Sequence, residues 1–317
     1  MKKEYIITAV VLMTAGLALF VGALFASDFD FSKLDISKYE TNTYTVSADF
    51  DKIEINTEET DIVWIPSEDD GVKVVCIEKE KIRHSVSVEN GTLKISEKDT
   101  RKWYDHIGMF SKSLSMTVYL PSDRLEYAII NSNTGDVSIP ASFSLGTADI
   151  TSSTGDTVFE ASVDGLLKIK ASTGDIKLSG INAGEINLSV STGDIAIKSL
   201  VCKETASISV STGDTIITDM TCGNLTTTGS TGSITLKNAV ATGGFSIKRR
   251  TGDVKFENCD AEQIIVQTST GDVTGTLRTA KIFLPRTSTG SIHVPDTFSG
   301  GQCEITTSTG DIDIRLK

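Results

Sequence analysis

Over most of this chain apolar residues fall on every second position, in short runs interrupted by Thr-Gly-Asp or Thr-Gly-Ser. These interruptions place a glycine at Gly135, Gly155, Gly174, Gly193, Gly213, Gly232, Gly252, Gly271, Gly290 and Gly310, always 19 or 20 residues apart. Two positions after the glycine stand residues such as Ile176, Ile195 and Val254; four after it come Leu178, Ile197 and Phe256; five before it come Ile150, Ile169 and Ile247. A spacing of two, with β-branched side chains and polar residues between them, predicts short strands that each bury one face. Helical spacing does not recur after residue 26.

A repeat of this length is one supersecondary unit that cannot bury its apolar face alone, whereas stacked copies bury a continuous core. The predicted fold is therefore all-β: a parallel, β-helix-like β-solenoid of ten coils of about 19–20 residues. Each coil holds one strand before the turn and one after it, with a looser corner on the far side. Every strand is expected to bond its equivalents in the preceding and following coils. Ten layers at ~4.8 Å would make a rod roughly 50 Å long. The glycine has a direct cause, because a sharp corner between strands requires φ > 0.

Residues 43–128 contain strand-like runs (52–56, 61–65, 72–78, 85–88, 92–96 and 114–120) without the Thr-Gly-Asp period, and Asp61–Pro66 reads as a degenerate coil. An open solenoid end exposes unpaired strand edges and has to be covered. The stretch is read as an N-terminal β cap on the repeat array of 129–317. Within it Trp103, Tyr104, His106 and Phe110 form the one non-repetitive aromatic cluster, a candidate interaction site whose plainer account is a lid over the first coil.

The N-terminus carries a different signal. Ile6–Ala26 is 21 residues without a charge, preceded by Lys2 and Lys3 and followed by Asp28 and Asp30. That length can cross a bilayer as a helix, and the flanking charges place the N-terminus inside. Residues 1–26 are expected to be a cytoplasmic tip and single transmembrane signal-anchor, 27–42 a spacer, and the remainder extracellular. Cell membrane is the expected location. A cleaved signal peptide is the rival account, with an unusually long apolar region and Leu24 where a small residue is preferred.

Composition narrows the chemistry. A net charge of −12 argues against nucleic acid as a partner, since phosphates would be repelled. Asp136, Asp156, Asp175, Asp194, Asp214, Asp253, Asp272 and Asp311 follow the turn glycines, with Ser233 and Ser291 interrupting. Stacking would align these carboxylates as a strip. It could bind cations or glycans, or close turns through hydrogen bonds to backbone, and turn closure is the expectation, with Arg250 relieving repulsion. The Ser-Thr pairs before the glycines would form hydroxyl ladders on a solvated corner.

Cys202 and Cys222 should lie one above the other, with buried or half-buried free thiols expected over a disulfide whose geometry rarely suits stacked strands, and the odd set of five cysteines has no C-x-x-C pair. His84, His106 and His293 are too scattered to assemble a His-centred triad or a metal cluster. No catalytic residue, metal or cofactor is expected, and ladders do not single out a catalytic pair of acids.

The Ser-Thr-Gly-Asp-Ile/Val coils of 129–317, together with Phe50-Asp51-Lys52-Ile53-Glu54-Ile55 and Thr117-Val118-Tyr119-Leu120-Pro121, resemble the bacterial "putative adhesin" domain-of-unknown-function family. The resemblance covers nearly everything after residue 40. It implies a surface or signalling-accessory role, since members are often membrane-anchored, and supplies no binding residues; the ligand classes left open by the residues themselves are protein and glycan. The leading expectation is a non-enzymatic, adhesin-like extracytoplasmic scaffold. The alternatives are an accessory of an envelope stress or sensing system, acting on a membrane partner, and, ranked last, a polysaccharide-active enzyme.

Overall fold

A computed structural model describes residues 3–26, 38–68, 71–102, 114–121 and 125–317. The Thr-Gly corners, repeated at nearly constant intervals, bend the chain into a parallel β-solenoid of about nine full coils where ten were expected. Neighbouring coils pair in parallel and in register. Ile186, Leu188 and Val190, for example, lie beside Ala206, Ile208 and Val210. Alternation along each strand sends these side chains inward to one continuous core that runs from Ile53 to Ile314. Aromatic rings fill its wider layers, with Phe245 and Phe256 stacked at 6.4 Å and Trp64 edge-on to Phe143 at 5.5 Å.

The middle coils have three straight runs rather than the expected two. After the strand that follows the turn, a second corner places Gly180, Ser199, Asp219, Asn238 or Asn258 at positive φ. A further parallel run then aligns Ala183 with Cys202, and Cys202 with Cys222. Short polar residues tolerate this corner because their side chains can hydrogen-bond locally, and Asn258 Nδ2 does so by donating to Asn238 Oδ1 at 2.8 Å. The sequence repeat concealed it because five different contexts serve the same backbone shape.

The N-terminal cap is woven into the same sheets. Its strands are β1 (Tyr39–Val46), β2 (Lys52–Thr57), β3 (Thr60–Pro66), β4 (Val72–Lys79), β5 (Ile82–Glu89), β6 (Thr92–Asp99) and β7 (Leu114–Leu120). β2 and β3 form the innermost coil, pairing in parallel with Leu125–Thr134 and Val137–Ile139. β6 and β7 add outside them, also in parallel. β4, β1 and β5 then finish the two faces with antiparallel pairings. Tyr39–Val46 thus begins inside the stretch expected to be a spacer.

The far end departs from the expected succession of coils. Gly301–Thr309 lies between Ile264–Gln267 and Lys281–Thr289, and Ile312–Leu316 lies between Val273–Leu277 and Ile292–His293. The last coil in the chain is therefore inserted beneath the one that precedes it, and Lys281–Thr289 becomes the outer edge. Pro285 suits that edge, because it lacks the N–H a central strand must donate.

At the N-terminus, helix α1 covers Lys3–Ala26, 24 residues. Among the described residues no helix is long and apolar enough to cross a membrane. The expected transmembrane span over Ile6–Ala26 is therefore not supported.

Candidate functional site

The repeating turn is built from glycine upward. Gly193 has φ +141°, and a Cβ added there would sit 2.1 Å from the carbonyl oxygen of Gly174 in the coil below. Glycine is thus required twice over: for the corner itself, and because each turn rests directly on the turn beneath. The Gly193 amide donates to Thr212 O at 3.0 Å, so the parallel ladder continues through the corner.

The carboxylate beside each glycine accepts a hydrogen bond from the next coil. Asp175 N donates to Asp156 Oδ1 at 2.8 Å, Asp194 N to Asp175 Oδ1 at 2.9 Å and Asp214 N to Asp194 Oδ1 at 2.7 Å. Ser233 N then donates to Asp214 Oδ1, and Asp253 N to Ser233 Oγ. Asp272 N donates to Asp253 Oδ1, and beyond it the inserted coil continues the series, Asp311 N donating to Asp272 Oδ1. At the other end Asp136 N donates to Asp61 Oδ1 at 2.9 Å, which makes Asp61 of the degenerate coil the first rung. Ser291 places its backbone amide and then its hydroxyl on Asp311, holding that exposed carboxyl below the usual range.

Turn closure therefore occupies one oxygen of each paired carboxylate. Arg250, expected to relieve the repulsion, is exposed. A cation that does reach the strip is Lys177, whose Nζ lies 3.6 Å from Asp156 and 3.7 Å from Asp175. Arg249 is buried instead, donating to Val210 O and Thr215 Oγ1 across the space left by Gly229. Burial lowers its pKa against the opposing pull of Asp214.

Trp103, Tyr104, His106 and Phe110 lie outside the described residues. Cys202 and Cys222 are register partners, both buried free thiols, as their spacing predicted. Burial pushes the Cys222 thiol up to about 12.

The cap holds a polar cluster that the sequence reading missed. Alternation along β4 points Val74, Cys76 and Glu78 inward together, and β5 contributes Ile82 and His84. The Glu78 and His84 side chains are both fully buried, with Nδ1 of the ring 2.9 Å from Glu78 Oε1. His84 N, Tyr44 Oη and Asn42 Nδ2 donate to this carboxylate. Burial raises the Glu78 pKa, but the hydrogen bonds from Asn42 and His84 outweigh it and hold the group below its ordinary value. The readable signal was a glutamate in phase with the apolar positions of an alternating strand. Sequence spacing alone does not place His84 beside it, because β4 and β5 meet in antiparallel pairing only at Lys79 and Ile82.

Two surface hollows accompany these features. One, about 460 Å³, is lined by Glu58, Glu59, Glu97, Asp99, Arg101, Asn133 and Thr134. The other, about 810 Å³, opens at the far end among Ile292, His293, Val294, Pro295, Asp313, Ile314, Arg315 and Leu316.

Comparison with known proteins agrees with this geometry. The family described as Toastrack DUF4097 matches residues 50–214 and again 203–317. A protein from Parabacteroides distasonis ATCC 8503 described as a "putative adhesin" superposes with a TM-score of 0.52 at 14% identity, over 88% of this chain and 98% of its own. A "putative lipid binding protein" from the same organism gives 0.52 at 19% identity, over 75% and 96%. A "putative adhesin" from Parabacteroides merdae ATCC 43184 gives 0.51 at 12% identity, over 75% and 96%. At these identities the likeness is one of fold. No curated protein matches the chain.

Proposed function

The chain belongs to the Toastrack DUF4097 family, and on that footing we propose that it is a non-enzymatic, adhesin-like scaffold of the cell envelope. In this reading residues 1–26 hold it at the membrane and the solenoid stands outside. One observation carries the proposal: the interior is filled by a continuous core of buried side chains, so recognition is left to the outer faces. Those faces repeat the same polar groups every coil, which suits binding to an extended or repetitive ligand such as a glycan or a cell-surface protein. The adhesin descriptions given to two similar folds point the same way, and the acidic surface disfavours nucleic acid.

The anchoring part rests on the uncharged run Ile6–Ala26 and on α1, whose Leu12, Met13, Leu17 and Leu19 side chains are all exposed. Apolar side chains arrayed around a helix in this way call for an apolar surrounding.

The test is a binding screen of residues 38–317 against glycans and cell-wall fragments, alongside fractionation of cells producing the full chain. Retention of an envelope ligand by the soluble piece, with the full chain recovered in membranes, is the expected result. A soluble piece that binds nothing, combined with a cellular effect that disappears when residues 1–26 are removed, would assign the protein to the accessory role instead. Release of the full-length chain into the medium would refute anchoring.

A further inference from the structure

We propose that Cys76, Glu78 and His84 form a binding site for a zinc-type divalent cation inside the N-terminal cap. The Cys76 thiol, a Glu78 carboxylate oxygen and a His84 ring nitrogen lie within 4.8 Å of one another, and all three residues are buried. Tetrahedral zinc with sulfur, nitrogen and oxygen ligands needs donors roughly 3.3–3.8 Å apart, so closing the site takes shifts of about 1 Å. A mixed thiolate, imidazole and carboxylate set selects zinc over the hard cations calcium and magnesium.

A second observation points to a missing positive charge. Glu97, from β6, also has a fully buried side chain, and its Oε2 lies 3.8 Å from His84 Nε2. That oxygen accepts from Thr60 Oγ1 and from the Glu58 and Glu59 amides. Glu97 Oε1 is buried with no hydrogen-bond partner among the described residues. An unmatched carboxylate oxygen in a core is costly, and here two buried carboxylates face one imidazole. Arg83 donates to Glu78 Oε2 at 3.4 Å but lies closer to Glu40, at 2.7 Å, and does not reach Glu97.

The ring can serve both sides. With its proton on Nε2, directed at Thr60 Oγ1 at 3.3 Å and at Glu97, Nδ1 turns a lone pair toward Glu78 Oε1, 2.9 Å away. Two acceptors so close need a proton or a metal ion between them. Glu97 then acts as a positioning residue that fixes the tautomer, as carboxylates behind ligating histidines commonly do. Asn42 and Tyr44 orient Glu78 in the same way. Without a cation, burial and then the charges of Glu78 and Glu97 push the Cys76 thiol up to about 12; a bound cation would reverse that and take the thiolate as ligand. Glu97 also borders the hollow lined by Glu58, Glu59, Asp99 and Arg101, where Arg101 pairs with Glu59 and Asp99.

The full-length chain, stripped with chelator, is titrated with Co²⁺ and then Zn²⁺. We expect one equivalent of Co²⁺ to bring up a thiolate-to-cobalt charge-transfer band, which one equivalent of Zn²⁺ then removes. Cys76→Ser abolishes the band and Cys303→Ser keeps it. Glu97→Gln weakens binding by about tenfold or more, and Asp175→Asn with Asp194→Asn leaves it unchanged. Absence of the band in the native chain overturns the proposal, as does its survival in Cys76→Ser or its loss in the Asp ladder variant. Should Cys76→Ser fail to fold, zinc-edge X-ray absorption on the native protein decides: a shell with sulfur supports the site, and an all-oxygen shell overturns it.

Discussion

At the scale of single residues, the turn glycines and their aspartates do different work. The glycine is held by contact between coils, since the carbonyl of Gly174 sits where a Gly193 side chain would begin. Gly193→Ala is accordingly expected to cost about 2–4 kcal/mol, through overlap added to backbone strain. Gly180 offers the internal comparison: it too has positive φ, +68°, but nothing lies within 4 Å of its would-be Cβ. Gly180→Ala should cost only about 1 kcal/mol. Thermal melting of the two variants checks the difference, and equal effects would mean that stacking of the turns adds nothing.

The aspartate ladder asks whether its free oxygens gather metal. One oxygen is already committed to the next coil's amide, as Asp194 Oδ1 is to Asp214, so the turns close without help. Calcium and chelator should therefore shift the melting temperature no more than sodium chloride at matched ionic strength does. Asp194→Asn, which keeps an acceptor oxygen, should be milder than Asp194→Ala. A calcium-specific rise in melting temperature, lost in Asp175→Asn with Asp194→Asn, would make the strip a functional site.

At the scale of elements, β4 and β5 carry charge into the cap, and acid should find it. Glu78 is held below its ordinary pKa, against burial, by Asn42 and His84. Its ionised form therefore contributes stability fully above the unfolded value of about 4.3, and that contribution is lost as pH falls through the lowered folded value. Glu78→Gln should remove this part of the acid transition while destabilising the cap at pH 7. Hydrogen exchange of β4 and β5 as pH is lowered from 6 to 3, compared with strands in the middle coils, measures it. An unchanged acid profile in Glu78→Gln would show that the cap does not depend on this carboxylate.

At the scale of the whole molecule, both ends are closed by chain that leaves the order of the coils. Strands β4 to β7 run outward past the first coil before the chain returns to Leu125–Thr134, and Gly301–Leu316 slips beneath Lys281–His293. The insertion locks the outer strand, because Lys281–Thr289 pairs with Gly301–Thr309. Deleting residues 301–317 should therefore free two coils: the inserted one, and the one at 281–293 that loses its partner. The expected readout is loss of exchange protection across 281–293, with association through the newly bared edge of Val254–Leu277. A truncated chain that stays monomeric with 281–293 protected would show that this strand docks without the insert.

The periodicity of the sequence was enough to establish the solenoid, the turn glycines, the stacked Cys202 and Cys222, and the aspartate strip. Each is a local pattern repeated, and stacking equal coils leaves only one way to satisfy it. Asp61 and the strands around it were legible more faintly, as an alternating run without the turn motif. What only tertiary structure decided was non-local. Whether Gly301–Thr309 lies outside or inside Lys281–Thr289 is invisible to a repeat, because both coils carry the same pattern and either pairing satisfies it. The meeting of Cys76 and Glu78 with His84, Glu97 and Thr60 was equally hidden, because it depends on β5 and β6 folding back across the coil that β3 begins. Alternation tells which face a side chain takes; the side chains it will meet there are set by how distant strands are brought together.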